Sequence, residues 1–209
     1  MTNNALNTYG TFITLEGGEG AGKTTQIARL KNRLEALGKK VITTREPGGS
    51  VGAEAIRKLL VEGDTHRWDA MTEAMLLFAA RRDHVEKVIA PALARGDWVI
   101  SDRFYDSSTA YQGYGQGLEL SKLDELRKLS IGELKPDVTF ILDLPVEVGL
   151  KRAAVEQRYE RMGTAFHEKL RQGFLTLAKA ESGRIKVIDA TQTVEVVENA
   201  IFQHISSFI

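Results

Sequence analysis

Eight residues, Gly17-Gly18-Glu19-Gly20-Ala21-Gly22-Lys23-Thr24, constrain this chain more than any other stretch. They stand between an apolar run, Thr11-Phe12-Ile13-Thr14-Leu15, and a segment with helical spacing. A strand can turn there sharply into a helix, because glycine adopts backbone conformations closed to other residues. In such a turn successive N–H groups point inward and the helix presents its positive end, so the two together cradle an anion. The order G-x-x-x-x-G-K-[ST] in this context predicts a phosphate loop. Lys23 can reach the outer phosphates of a nucleotide, and the Thr24 hydroxyl can ligate Mg²⁺.

The rest of the chain supplies further strands for such a loop to belong to. Apolar runs predict strands over residues 11–16, 40–44, 98–101, 138–142 and 185–188, and helical spacing fills the intervals. Residues 69–95 read as a helix bent or divided at Pro91, residues 107–112 as a helix, and residues 113–117 (Gly-Tyr-Gly-Gln-Gly) as a flexible loop. Strands alternating with helices imply a parallel sheet covered on both faces, with ligands at the carboxyl ends of the strands. The charged motifs follow those ends: Glu16 to Thr24, Arg45-Glu46, Asp102-Arg103 and Asp143.

With 209 residues the chain suits one domain, and the 28 basic and 28 acidic residues cancel, which argues against a surface committed to long nucleic acid. Cysteine is absent, so disulfides and thiolate metal sites are excluded, and the four histidines form no H-x-x-x-H pair. Residues 1–9 lack the basic and apolar parts of a leader, and no apolar run reaches membrane-spanning length. A soluble cytoplasmic protein is expected.

Each motif allows a functional and a plain structural reading. Asp102 can hold Mg²⁺, directly or through water, or cap the next helix. Arg103 has the planar fork that suits a phosphate. The Pro47-Gly48-Gly49 turn can aim Arg45 into a cleft or leave it solvated. Phe78 and Arg81 share a helix face, where a ring can stack on a base and a guanidinium bond its oxygen, or the ring can belong to the core. The Gln112 amide can pair with a base edge. Arg152, Arg158 and Arg161 fall in a helical interruption and read either as a closing loop that neutralises a transferring phosphoryl group or as a basic helix face.

Taken in order, these motifs resemble the bacterial thymidylate kinases over nearly the whole chain. The resemblance rests on Phe12 to Thr25, on Thr44-Arg45-Glu46-Pro47-Gly48-Gly49, on Thr72-Glu73 through Phe78-Ala79-Ala80-Arg81, and most specifically on Asp102-Arg103-Phe104-Tyr105-Asp106-Ser107-Ser108-Thr109-Ala110-Tyr111-Gln112-Gly113. It implies a three-layer α/β fold of the P-loop NTPase type, a five-stranded parallel sheet flanked by helices, in one domain over residues 1–209 with a short lid around 150–162. It implies transfer of a phosphoryl group from ATP, with Mg²⁺, to dTMP on the way to dTTP, by a homodimer. Gly17, Gly18, Glu19, Gly20, Ala21, Gly22, Lys23, Thr24 and Thr25 would form the ATP site, and Thr24 and Asp102 the metal site. Glu19 would also face the sugar 3′-hydroxyl. Arg45 and Arg103 would grip the dTMP phosphate, and Arg81 would bond thymine O4. Ser108 and Gln112 would read the remaining polar edge, and Tyr111 would crowd the 2′ position. Similar enzymes carry the stacking aromatic at the position of Leu77 or at that of Phe78; here it is assigned to Phe78. Lys23, Asp102, Arg103 and a lid arginine, Arg158 rather than Arg152, would carry catalysis.

Other readings predict other signals. A GTPase switch needs Asn-Lys-x-Asp, which is missing. A related nucleoside monophosphate kinase would differ only in its acceptor, and dTMP, dUMP, AMP and CMP separate these cases.

Overall fold

Three apolar segments buried along their full length can only be the interior strands of a sheet covered on both sides. The computed structural model describes residues 9–64, 67–153, 159 and 162–209. Its strands are β1 (Phe12–Glu16), β2 (Val41–Arg45), β3 (Trp98–Asp102), β4 (Val138–Asp143) and β5 (Ile185–Asp189). They pair in the order β2-β3-β1-β4-β5, all parallel. β1, β3 and β4 hold the centre, whereas the edge strands β2 and β5 alternate between buried and exposed residues.

Parallel neighbours require crossovers, and helices supply them. These are α1 (Lys23–Ala36), α2 (Val51–Val61), α3 (Ala70–His84), α4 (Ala90–Ala94), α5 (Tyr105–Ser108), α6 (Leu120–Ile131), α7 (Val146–Arg152), α8 (Thr164–Ala180) and α9 (Val194–Ile205). Strand side chains alternate between faces. Ile13, Leu15, Ile100, Phe140 and Leu142 pack with Leu30 and Leu34 of α1 and Ile201 of α9. Phe12, Val99 and Phe104 pack on the other face with Phe78, Ile89 and Leu123.

Two stretches depart from the sequence expectation. Val85–Ile89 is a π-helical turn joining α3 to α4, so the helical run is not divided at Pro91. Proline lacks an N–H and crowds the carbonyl four residues back, and a wider turn just before it accommodates both. Thr109–Gly115 is a second π-helical turn that continues α5, so the helix expected over residues 107–112 runs on through Gly113–Gly115, the first part of the expected flexible loop. Its glycines serve close packing. A Cβ on Gly113 would lie 2.6 Å from Leu120 Cδ2, and one on Gly115 would lie 2.5 Å from Phe166 Cε2.

A polar seam crosses the second face between its apolar clusters. Thr14 and Thr139 hydroxyls pair at 2.7 Å between β1 and β4. Arg184, just before β5, holds the buried Asp106 carboxylate with two bonds of 2.8 and 2.9 Å and donates to Thr139 Oγ1 at 2.7 Å. Removing one partner of a buried ion pair strands the other charge. Arg184→Leu is therefore expected to lower unfolding stability by roughly 3–5 kcal/mol. Urea titration followed by circular dichroism measures this, and a wild-type midpoint would contradict it.

Candidate active site

The carboxyl ends of the strands line up, and the register does the aligning. Arg45 lies opposite Asp102, and Asp102 lies opposite Leu15. One cleft of about 470 Å³ opens above these ends. It is walled on one side by Glu19 to Thr25 and on the other by Arg45, Arg81, Asp102, Arg103, Ser108, Tyr111 and Gln112. Gly17 and Gly18 border a smaller cavity behind the loop.

The loop curls as its glycines allow. Gly20 has φ 67°, and a Cβ there would lie 2.0 Å from the carbonyl oxygen of Gly149 in α7. Gly22, at φ 89°, precedes α1, whose first turn carries no acidic side chain. That positive helix end suits an anion. Lys23 is buried and donates to the carbonyls of Gly17 (3.2 Å) and Gly18 (3.0 Å). Burial, and then Arg103 nearby, lower its pKa.

Arg103 is the one non-glycine residue with positive φ (71°) among the described residues. Three contacts hold this backbone. Its N–H donates to Leu15 O at 2.9 Å, its carbonyl accepts from Ser101 Oγ at 2.7 Å, and the following N–H, of Phe104, donates to Glu16 Oε1 at 2.7 Å. The side chain then reaches back to the loop, donating to Gly17 O (3.0 Å) and Glu19 Oε1 (2.7 Å). Tyr111 donates to the same Glu19 oxygen at 2.8 Å. Burial works to raise the Glu19 pKa, but Arg103, Lys23 and the Tyr111 hydroxyl outweigh it and hold the group down at about 2.

Arg81 is buried on α3 and fully oriented. Its Nε donates to Glu46 at 2.6 Å, and its Nη2 to Phe104 O (3.2 Å) and Ser108 Oγ (3.1 Å). The other oxygen of Glu46 meets His84 Nδ1 at 3.0 Å, and His84 Nε2 meets Thr44 Oγ1 at 2.6 Å. With Nδ1 donating to the carboxylate, Nε2 accepts from the threonine. Two buried atoms at the floor of this recess have no hydrogen-bond partner in the protein, Arg81 Nη1 and Gln112 Oε1.

Leu77, not Phe78, lines the cleft. Phe78 turns one helical position away into the core, where the Arg81 guanidinium carbon lies 4.6 Å from its ring centroid. Phe78, the expected stacking ring, is thus a core residue, and α3 presents the aliphatic Leu77 to the cleft instead. Arg152 borders the cleft, while Arg158 and Arg161 lie outside the described residues. Asp143 points away and is held by two bonds to Arg171, of 2.7 and 2.9 Å.

Some cleft residues escaped the sequence reading. Arg57 of α2 borders the cleft beside Arg45 and donates to Pro47 O at 2.7 Å. Its signal was one basic residue on the helix that follows the Pro-Gly-Gly turn. Tyr159 also borders the cleft, with its ring centroid 5.3 Å from that of Tyr111. Glu16 and Glu73 act from below, through pairings that join distant parts of the chain.

The donor set suits Mg²⁺. Asp102 Oδ1 is buried without a hydrogen-bond partner beside the Thr24 hydroxyl's loop. No cluster of three His, Cys, Asp or Glu side chains occurs among the described residues. Asp102 and Thr24 would supply one or two protein oxygens and leave the remaining positions to phosphates and water.

A phosphate cradle facing a cationic recess across the switch point of a parallel sheet defines a P-loop nucleoside monophosphate kinase. The comparisons narrow the class. The thymidylate kinase family profile matches residues 15–201. A thymidylate kinase of Caulobacter vibrioides is 54% identical over 197 residues, covering 93% of this chain and 95% of that one. One of Methylococcus capsulatus is 49% identical, covering 97% and 98%. The crystal structure of a thymidylate kinase from Ehrlichia chaffeensis superposes with a TM-score of 0.78 at 35% identity, covering 94% and 98%. The chain belongs to the thymidylate kinase family.

Glu16 carries a pH signature. Burial first, and then the neighbouring Asp106, raise its pKa from 4.5 to about 8, against the bonds from Ser107 and Phe104. The folded protein therefore keeps a proton that the unfolded chain loses between those values. The stability this contributes is complete below about pH 4.5 and is lost as pH rises to about 8. Over that window the wild type should lose stability relative to Glu16→Gln. Urea unfolding at a series of pH values checks this, and parallel profiles would contradict it.

Proposed function

We propose that this protein transfers the terminal phosphoryl group of ATP to the phosphate of dTMP, forming dTDP and ADP in the synthesis of dTTP. Phosphoryl transfer asks little covalent work of a protein; it needs two anions held in line with their charge offset and water excluded. The observation that carries the reading is a shared cleft, with the phosphate loop at one wall and an oriented arginine at the floor of the other.

Each side chain then has a task. The loop amides and the end of α1 hold the donor phosphates, and Lys23 exchanges its loop carbonyls for phosphate oxygens. Thr24 and Asp102 would hold Mg²⁺, which would offset phosphate charge. Arg45, Arg57 and Arg103 hold the acceptor phosphate. Glu19, kept anionic, faces the 3′-hydroxyl, and Tyr111 crowds the 2′ position. Arg81 Nη1 donates to thymine O4 while Leu77 packs on the ring. A lid arginine, Arg152 or Arg158, neutralises the moving phosphoryl group.

The homodimer reading rests on the family, and exposed apolar side chains on the contacting helices α2, α3 and α6 (Val51, Leu59, Met75 and Leu129) offer it a surface. Sedimentation at twice the chain mass is expected. No helix among the described residues is long and apolar enough to cross a membrane.

Coupled ADP release with ATP, Mg²⁺ and the acceptors dTMP, dUMP, AMP and CMP tests the reading. dTMP should be the preferred acceptor, and Lys23→Ala should cut turnover at least about a hundredfold with melting unchanged. Preference for another acceptor, or a variant as fast as wild type, would overturn it.

A further inference from the structure

The floor of the base recess holds two buried atoms with opposite hydrogen-bonding needs. Arg81 Nη1 is a donor and Gln112 Oε1 an acceptor, and neither has a partner in the protein. Their residues line the same cleft and are linked through Ser108. Arg81 Nη2 donates to Ser108 Oγ, and Ser108 lies about one helical turn before Gln112 in the continuous α5–π segment. The guanidinium is fixed by Glu46, Phe104 O and Ser108. An amide has no such built-in polarity. A half-turn exchanges its oxygen and nitrogen, so something outside it must choose which end faces the recess.

Glu73 makes that choice. It is fully buried in the first turn of α3. Its Oε1 accepts from Gln112 Nε2 at 2.6 Å and from Gln116 Nε2 at 2.9 Å. A carboxylate only accepts, so each glutamine turns its NH₂ to it. Gln112 Oε1 is left at the recess.

We infer that Glu73 is a specificity-positioning residue: by holding the Gln112 amide nitrogen it fixes an acceptor beside the Arg81 donor. That pair matches a pyrimidine with an N3–H beside a 4-carbonyl. A pyrimidine with a 4-amino group meets donor against donor and, at N3, acceptor against acceptor. Buried polar groups left unpaired in this way are the strongest source of rejection between similar substrates. The inference rests on the dTMP reading given above, but it assigns the choice between the two pyrimidine classes to a residue that touches neither.

The test is the ratio of kcat/KM for dTMP to that for dCMP. In Glu73→Gln the neighbouring amide can both give and accept, and the Gln112 amide is released to turn. The ratio should fall about tenfold or more, chiefly through the KM for dTMP, with the KM for ATP held within about twofold. In a Gln112→Leu background the same Glu73→Gln change should move the ratio less than about twofold. A ratio that stays put in the single variant, or drops equally in both backgrounds, overturns the inference. Wild-type protein in the same assay keeps the two ideas apart, since failure to phosphorylate dTMP at all would sink the functional reading instead. A second measurement needs no stable Glu73 variant. The side-chain NH₂ signal of Gln112 in the wild type, assigned by its loss in Gln112→Leu, should be protected from solvent exchange with and without dTMP. Protection that arises only on adding dTMP would place the NH₂ against the base and contradict the assignment.

Discussion

Everything in the cleft depends on the clamp that Glu16 forms between the end of β1 and the turn after β3. Its two oxygens take the Phe104 N–H and the Ser107 hydroxyl, at 2.7 and 2.5 Å. The residue between the strand and this clamp is Arg103, bent into a left-handed conformation that costs an ordinary residue of order 1–3 kcal/mol and persists only where its surroundings hold it. The bend sends the guanidinium across to the phosphate loop and starts the helix that carries Ser108, Tyr111 and Gln112. One buried carboxyl thus sets the position of the donor loop relative to the acceptor recess.

Three of the arginines above the clamp are each paired with a carboxylate. Arg103 rests on Glu19, Arg45 on Glu54 at 3.0 Å, and Arg81 on Glu46. These pairs differ in exposure, and so in what they do. Arg45 is half exposed, and a solvated pair of that kind holds its partners weakly. It can change partners as a phosphate enters. Arg81 and Glu46 are almost completely buried, with His84 and Thr44 continuing the chain of bonds outward. That chain resists rearrangement and suits a group that must present one fixed donor. The Arg45 pair is therefore exchangeable, while the Arg81 pair is rigid.

Local signals made the sheet and the loop readable from the chain itself. Each interior strand is a short apolar run, and the glycine spacing before Lys23 has few other uses. The elements that escaped are those decided by contacts across the fold. Nothing near Gly113 or Gly115 announces that Leu120 and Phe166 will press against them, so the segment read as a loop although it is helical. Leu77 and Phe78 are both apolar, and which of them faces the cleft depends on how α3 is rotated against the sheet. Glu16 reaches Ser107 across 91 residues and Glu73 reaches Gln112 across 39, separations at which no periodicity carries information. The resemblance to thymidylate kinases pointed to residues that the fold brings to the cleft, among them Lys23, Arg45, Arg81, Arg103, Tyr111 and Gln112. It assigned no role to Glu16 or Glu73.

The central claim is that one cleft above the strand ends receives both nucleotides, phosphate to phosphate. A crystal structure with an adenosine–thymidine bisubstrate polyphosphate tests it most directly. The account predicts phosphates running from the Gly17–Thr24 loop to Arg103 and the thymine edge on Arg81 and Gln112. A thymine ring bound outside the recess, with the Arg81–Gln112 floor untouched, would contradict it.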